Sequence, residues 1–170
     1  DVKLSITDTI LRKVNPNLII AKITGFGLDS DRVAYDLILQ AESGFMSING
    51  EKNSGPLKMP VALIDVLAAH QLKEAILLAL LHRHTEGEAK TVHVSLYDAA
   101  VCSLTNQASN YLMTKNSPER LGNLHPNIAP YGEIFKTKDD KQITFAIGSN
   151  RHFIDLCTTL KLDITEDPHF

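Results

Sequence analysis

The chain has 170 residues, of which 44% are hydrophobic and 22% charged, a composition that excludes an intrinsically disordered protein. A formal net charge of −3 gives no basic surplus for binding a phosphate backbone, so we expect no nucleic-acid partner. Its two cysteines, Cys102 and Cys157, are far apart in sequence, which indicates neither a disulfide framework nor a zinc knuckle and favours a reducing, cytoplasmic location.

The first third of the chain predicts a helix, a strand and a second helix. Residues 6–14 have apolar side chains at helical spacing, and Pro16 follows them as a stop signal. Residues 18–24 form a β-branched run typical of a buried strand, which ends at the turn residues Gly25 and Gly27. Residues 34–46 return to helical spacing, although Gly44 weakens the end of that helix.

A loop and a long helix follow. Residues 49–60 contain two glycines and two prolines among polar residues, which predicts a loop. Asp65 then precedes residues 66–84, a helix without glycine or proline that we expect to end near Gly87. The apolar stretch over residues 61–81 contains charged and polar side chains that a bilayer-spanning helix would not carry, so no membrane association is expected.

The remaining elements predict an α/β fold followed by a second, smaller domain. Residues 90–96 alternate as a half-buried strand does, and residues 97–112 have helical spacing. We assign residues 1–113 to part of a large α/β domain, residues 114–127 to a polar linker, and residues 128–170 to the beginning of a small α+β domain. Within the last part, residues 134–147 predict a hairpin with a polar turn, and residues 151–160 a helix.

Common cofactor and metal motifs are missing from the sequence. Gly25 and Gly27 begin like a dinucleotide-binding fingerprint, but Ser30 stands where the third glycine belongs, so a tight turn explains them better. His82 and His84 are two residues apart and therefore point to different sides of a helix, which excludes an i, i+4 metal pair. We predict no metal site and no permanently bound cofactor.

Asp65 is the residue with the clearest chemical potential. A carboxylate at the start of a long apolar helix is stabilised by unpaired backbone amides and by the positive end of the helix dipole. The same position suits a plain N-cap, although the reciprocal capping box is absent because Ala68 lies three residues on. From the residues alone, both a structural cap and a nucleophile are compatible with Asp65.

A series of short motifs extends over nearly the whole chain. In order, the motifs are Asn15-Pro16-x-Leu18-Ile19, Ile23-Thr24-Gly25-Phe26-Gly27, Ala34-Tyr35-Asp36, Gln40-Ala41-x-Ser43-Gly44, Ile64-Asp65, Ala75-Ile76-Leu77-x-Ala79-Leu80-Leu81-x-Arg83, Thr85, Val94-Ser95-Leu96-x-Asp98-Ala99, Gly122-x-x-His125-Pro126 and Pro130-Tyr131. In their order and spacing they resemble the family III CoA-transferases, the formyl-CoA and carnitine CoA-transferase type. The resemblance implies a Rossmann-like large domain and an acyl-CoA:carboxylate CoA-transferase.

The resemblance also implies roles for individual residues. Asp65 would attack the acyl-CoA thioester to form a mixed anhydride, and the CoA thiolate would return to convert it into an aspartyl-CoA thioester. The acceptor carboxylate would then repeat these steps in reverse. Tyr35 would lie near the reacting acyl group, and Gln40 and Ala41 would help to shape the pocket for substrate and CoA. The implied partners are an acyl-CoA, a carboxylic acid acceptor and a second copy of the full-length protein in an interlocked homodimer.

Two other functions stay open. The related α-methylacyl-CoA racemases have the same fold and aspartate, but they use a histidine where this chain has Tyr35, which favours transfer over racemisation. The other alternative is a relative that binds CoA without catalysis. Because further CoA-binding segments of the family would lie before Asp1 and after Phe170, we expect the chain to be a fragment that is inactive alone.

Overall fold

A computed structural model describes residues 4–164 of the chain. The chain divides into two compact units. The described part of the first comprises residues 4–48 and Pro56–Pro118, and that of the second comprises Asn49–Gly55 and residues 119–164. The predicted assignment of residues 1–113, 114–127 and 128–170 to a large domain, a linker and a small domain stays a prediction. Among residues 4–164, no helix combines the length and apolarity that crossing a membrane requires.

The first unit has six helices and two strands among its described residues. In chain order these are α1 (Asp8–Val14), β1 (Ile20–Thr24), α2 (Asp36–Glu42), α3 (Phe45–Ile48), α4 (Leu63–Glu86), β2 (Thr91–Ser95), α5 (Leu96–Cys102) and α6 (Thr105–Thr114). The α/β class is confirmed.

The two strands of the first unit are parallel neighbours. Their register runs from Ile20 opposite Thr91 to Thr24 opposite Ser95. Because parallel neighbours need a crossover connection, the chain between them includes the long helix α4, which packs against both strands. Gly87, with a φ of 75°, ends α4 in the left-handed conformation, as predicted.

Two predicted helices are each divided in the structure. The segment 34–46 was expected to be one helix, but it forms α2 and α3 because Gly44 adopts a φ of 95°. The segment 97–112 forms α5 and α6, which are separated by Ser103 and Leu104 before Thr105 adopts a left-handed φ of 45°. Helical spacing alone was therefore wrong about continuity, because it does not register such local breaks.

The core of the first unit joins α2, α4 and α5. Leu39, Ile64 and Ala100 are fully buried together, and Phe26, in the loop after β1, packs against them. That loop approaches α2 closely, since a Cβ atom added to Gly25 would overlap the Ala34 methyl group. The packing brings the carboxyl end of β1 to the first turns of α2 and α4.

The second unit contains an antiparallel hairpin and one helix. Strand β3 (Tyr131–Lys136) pairs with β4 (Gln142–Ala146), and α7 (Asn150–Leu160) follows. Asp140 takes a φ of 61° in the turn between the strands, and the Ser149 hydroxyl caps α7 by accepting the His152 N–H at 3.3 Å. The predicted hairpin and helix of this region are confirmed.

Candidate active site

Asp65 lies inside the first turn of α4 rather than before it. The helix begins at Leu63, so Asp65 is its third residue, and the prediction of a helix that starts after Asp65 was wrong at this boundary. The residue at the N-cap position is Ala62, whose methyl side chain cannot accept a hydrogen bond. The amides of the first turn therefore need a partner from elsewhere.

That partner is Asp36, the first residue of α2. Its Oδ1 accepts the N–H of Ile64 at 2.7 Å and, more weakly, the N–H of Asp65 at 3.4 Å. These are the second and third amides of α4, the two that an N-cap side chain ordinarily binds. Asp36 thus caps α4 from a different helix, and this explains why the helix begins before Asp65.

Gln40, one turn after Asp36 on α2, is 1% exposed and holds the loop before α4. Its Oε1 accepts the Met59 N–H at 2.7 Å, while its Nε2 donates to the Val61 carbonyl at 3.2 Å. The same Nε2 donates to Oδ2 of Asp36. The side-chain amide therefore binds the loop on both sides of Pro60 and links it to the helix cap.

The Asp65 side chain is exposed, and within residues 4–164 its carboxylate has no hydrogen-bond or ion-pair partner. Its backbone N–H is engaged by Asp36, and its side chain is left available. The positive end of the α4 dipole lies beneath it. Such a carboxylate is accessible to a reactant and is suited to nucleophilic attack.

The other residues predicted for the site lie on or beside α2. Tyr35 precedes α2, is 67% exposed and directly adjoins Asp36, so its ring is available to a ligand. Ala41 follows Gln40 and is exposed. The structure thus brings Gln40 to the loop before Asp65, through polar atoms that are engaged within the first unit. The ligand-binding roles of Tyr35, Gln40 and Ala41 stay predictions.

The carboxyl edge of the parallel strands adjoins these helix starts. The Gly25 carbonyl, just after β1, accepts the Tyr97 N–H at 2.9 Å and the Ser95 hydroxyl at 3.3 Å. Next to it, Phe26 packs against the core and carries the Arg32 guanidinium over its ring at 3.8 Å. In open α/β sheets, ligands bind at this edge, where strands lead into loops and helix N-termini.

Asp36 is the residue of the site whose role the sequence reasoning missed. It stood within the matched motif, but nothing assigned it a function. No signal for this role was present in the sequence, because Asp65 itself suited the N-cap position and no capping residue from another segment was needed. Choosing Asp36 among the acidic residues of the chain therefore required the tertiary structure.

Comparison with known proteins gives a family match over residues 2–170, nearly the whole chain. The matching family is described as CoA-transferase family III. The match includes every residue of the site described above.

Individual relatives agree with that match. The chain is 41% identical over 160 residues to the succinate–glutarate CoA-transferase of Agrobacterium fabrum, covering 92% of the chain and 40% of the relative. It is 35% identical over 153 residues to the succinyl-CoA:glutarate CoA-transferase of Mus musculus, covering 88% and 35%. The chain thus spans well under half the length of these curated relatives.

A solved structure shows the same architecture. The crystal structure of a CAIB/BAIF family protein from Brucella suis superposes with a TM-score of 0.77 at 35% sequence identity. The superposition covers 99% of this chain and 45% of that one.

Proposed function

The chain belongs to CoA-transferase family III, and we propose that the full-length protein transfers coenzyme A between carboxylic acids, with Asp65 as the covalent carrier. The family match over residues 2–170 is the main support. The exposed carboxylate of Asp65 at the start of α4 supplies a nucleophile suited to this reaction.

The first half of the proposed reaction moves CoA onto the enzyme. An oxygen of Asp65 attacks the thioester carbonyl carbon, the carbon–sulfur bond breaks, and CoA leaves as a thiolate from a mixed anhydride. The thiolate then attacks the Asp65 carbonyl carbon, which releases the donor acid as a carboxylate and leaves an aspartyl-CoA thioester. Atoms and charge balance without water or an oxidant.

The second half repeats these steps with the acceptor. Its carboxylate attacks the aspartyl-CoA thioester, gives a second mixed anhydride and frees the CoA thiolate. Attack of that thiolate on the acceptor's acyl carbon forms the product thioester and regenerates Asp65. Coenzyme A is thus a substrate, and no bound cofactor takes part.

We propose short dicarboxylic acids as the exchanged acids. The Agrobacterium and mouse relatives are named for succinate or succinyl-CoA and for glutarate, and both exceed 30% identity over most of this chain. An interlocked homodimer of the full-length protein and a cytoplasmic location belong to the same proposal.

The proposal is tested by measuring succinyl-CoA:glutarate exchange with the full-length protein. We expect activity in the wild type and a loss of at least about 10³-fold in Asp65→Asn, because the nucleophile is removed. Asp98→Asn is the matched control, since Asp98 is likewise exposed and third in its helix, and it should retain activity.

Three results would overturn the proposal. Full activity in Asp65→Asn would exclude Asp65 as the carrier. Solvent deuterium incorporated at the α-carbon of a 2-methylacyl-CoA, without exchange between acids, would assign the protein to racemisation instead. Tight CoA binding with neither reaction would identify a relative that binds without catalysis.

A further inference from the structure

Four hydrogen bonds connect α2 to the segment that contains Asp65. Asp36 accepts the Ile64 and Asp65 amides, and Gln40 binds the loop at Met59 and Val61. We call Asp36 and Gln40 the α2 clamp. Both of its members are on one helix, four residues apart, so their side chains lie on the same face.

The α2 clamp supplies hydrogen-bond partners that the residues just before α4 do not provide. Ala62 offers no capping oxygen, and the residues before it form a loop without regular secondary structure. A loop of this kind gains its conformation from tertiary hydrogen bonds. Here the side chains of α2 provide them on both sides of Pro60 and at the first turn of the helix.

We propose that the α2 clamp positions Asp65 for attack, so that Asp36 and Gln40 are positioning residues of the transfer reaction. This inference rests on the proposed function of Asp65. Because Asp36 binds the N–H of Asp65 itself, the clamp acts on the backbone of the nucleophile and not through an intervening side chain. Nucleophilic attack is sensitive to displacements of about 1 Å, so loosening this contact lowers the rate.

The clamp also keeps the Asp65 carboxylate available. An aspartate in the first turn of a helix can itself accept the unpaired amides of that turn. In this structure Asp36 already occupies two of these amides, and the Asp65 side chain stays exposed. Without Asp36, the Asp65 carboxylate becomes the nearest substitute cap, and a capped oxygen is a poorer nucleophile.

The test compares Asp36→Ala and Asp36→Asn in the full-length protein, with Glu42→Gln as the control. Asparagine retains an Oδ1 acceptor for the amides of α4, whereas alanine retains none. Glu42 lies on the same helix but makes an ion pair with Arg32 outside the clamp. Circular dichroism establishes that each variant is folded.

The kinetic readout is the first-order rate of aspartyl-CoA formation in rapid-quench mass spectrometry with succinyl-CoA. We expect a roughly hundredfold decrease in Asp36→Ala, a smaller one in Asp36→Asn, and none in Glu42→Gln, with the succinyl-CoA Kd within about twofold throughout. A folded Asp36→Ala with a wild-type rate, or a loss confined to Kd, would overturn the proposal.

A second readout does not depend on the chemistry. Amide hydrogen exchange of the peptide covering residues 59–67 should accelerate in Asp36→Ala and stay unchanged in Glu42→Gln. Wild-type protection in Asp36→Ala would overturn the clamp even in an active enzyme. Failure of the proposed function looks different, because the wild-type protein would then form no adduct at Asp65.

Discussion

The N-termini of α4 and α5 present the same residue in the same place but are held in different ways. Each helix has an exposed aspartate as its third residue, Asp65 in α4 and Asp98 in α5. In α5 the Ser95 hydroxyl, just before the helix, accepts the Asp98 N–H at 3.3 Å. In α4 the corresponding acceptor is Asp36, 29 residues away in sequence. The start of α5 is thus specified locally, whereas the start of α4 depends on a tertiary contact.

Because of this difference, the position of Asp65 depends on a neighbouring helix, whereas the position of Asp98 does not. A cap from the adjoining residue moves together with its helix, so a shift of the helix leaves the capping hydrogen bond intact. A cap from another helix couples the loop, the first turn of α4 and the Asp65 backbone to the position of α2. We therefore expect substitutions in α2 to reach Asp65, and substitutions at Ser95 to leave it undisturbed.

Gln40→Ala should give the largest stability loss among variants that keep Asp65. It leaves the Met59 N–H and the Val61 carbonyl without their partner, and a buried polar group without a hydrogen bond costs about 1–3 kcal/mol. Urea denaturation of the full-length protein measures the change. Gln107→Ala, in helix α6, is the control, with an expected cost within about 0.5 kcal/mol. Equal costs for the two variants would contradict the importance of the clamp.

Ser95→Ala should lower the stability less than Gln40→Ala does, and it should leave the transfer reaction unchanged. Removing an N-cap hydroxyl costs about 1 kcal/mol, and this hydroxyl also donates to the Gly25 carbonyl. Thermal denaturation measures the loss, while aspartyl-CoA formation should proceed at the wild-type rate. A decrease in that rate as large as the one expected for Asp36→Ala would remove the distinction between the two helix starts.

Asp8→Asn should have the smallest effect on stability. It serves as the reference for an acidic residue that is remote from both helix starts. The pKa of Asp8 lies below the ordinary value of 3.8, chiefly because Lys22 hydrogen-bonds to it at 2.6 Å. A lowered folded-state pKa stabilises the protein above the unfolded value, and this contribution is lost as pH falls from about 3.8 through the folded pKa. Both side chains are 36% exposed, so screening limits the contribution to under about 1 kcal/mol.

The pH dependence of Tm for Asp8→Asn measures this contribution. The difference from the wild type should be larger at pH 7 than at pH 3, and it should shrink in high salt. A difference that is the same at both pH values would show that Asp8 stabilises the fold through something other than its charge.

The sequence predicted those features that local patterns encode. The β-branched run of β1, the alternation of β2 and the left-handed Gly87 at the end of α4 all follow from short-range preferences. Gly44 was recognised as weakening the end of its helix, but the break there and the break after Cys102 were not predicted, because apolar spacing continues across both.

The candidate site could be predicted only in part for a related reason. Asp65 was proposed from its position near a helix start and from the family resemblance, and its catalytic role stays a prediction, but its exact place in the first turn was not predicted. The cap that decides that place comes from Asp36, and a contact across 29 residues leaves no periodic signal in the sequence. The hydrogen bonds from Gln40 to the loop before α4 likewise leave no periodic signal in the sequence.

The measurement that tests the central claim most directly is intact-mass spectrometry of the full-length protein incubated with succinyl-CoA, followed by peptide mapping. We predict a CoA-sized adduct on the peptide containing Asp65, removed by hydroxylamine and absent from Asp65→Asn. An adduct on a different residue, or acyl exchange without any adduct at Asp65, would contradict the assignment of Asp65 as the carrier.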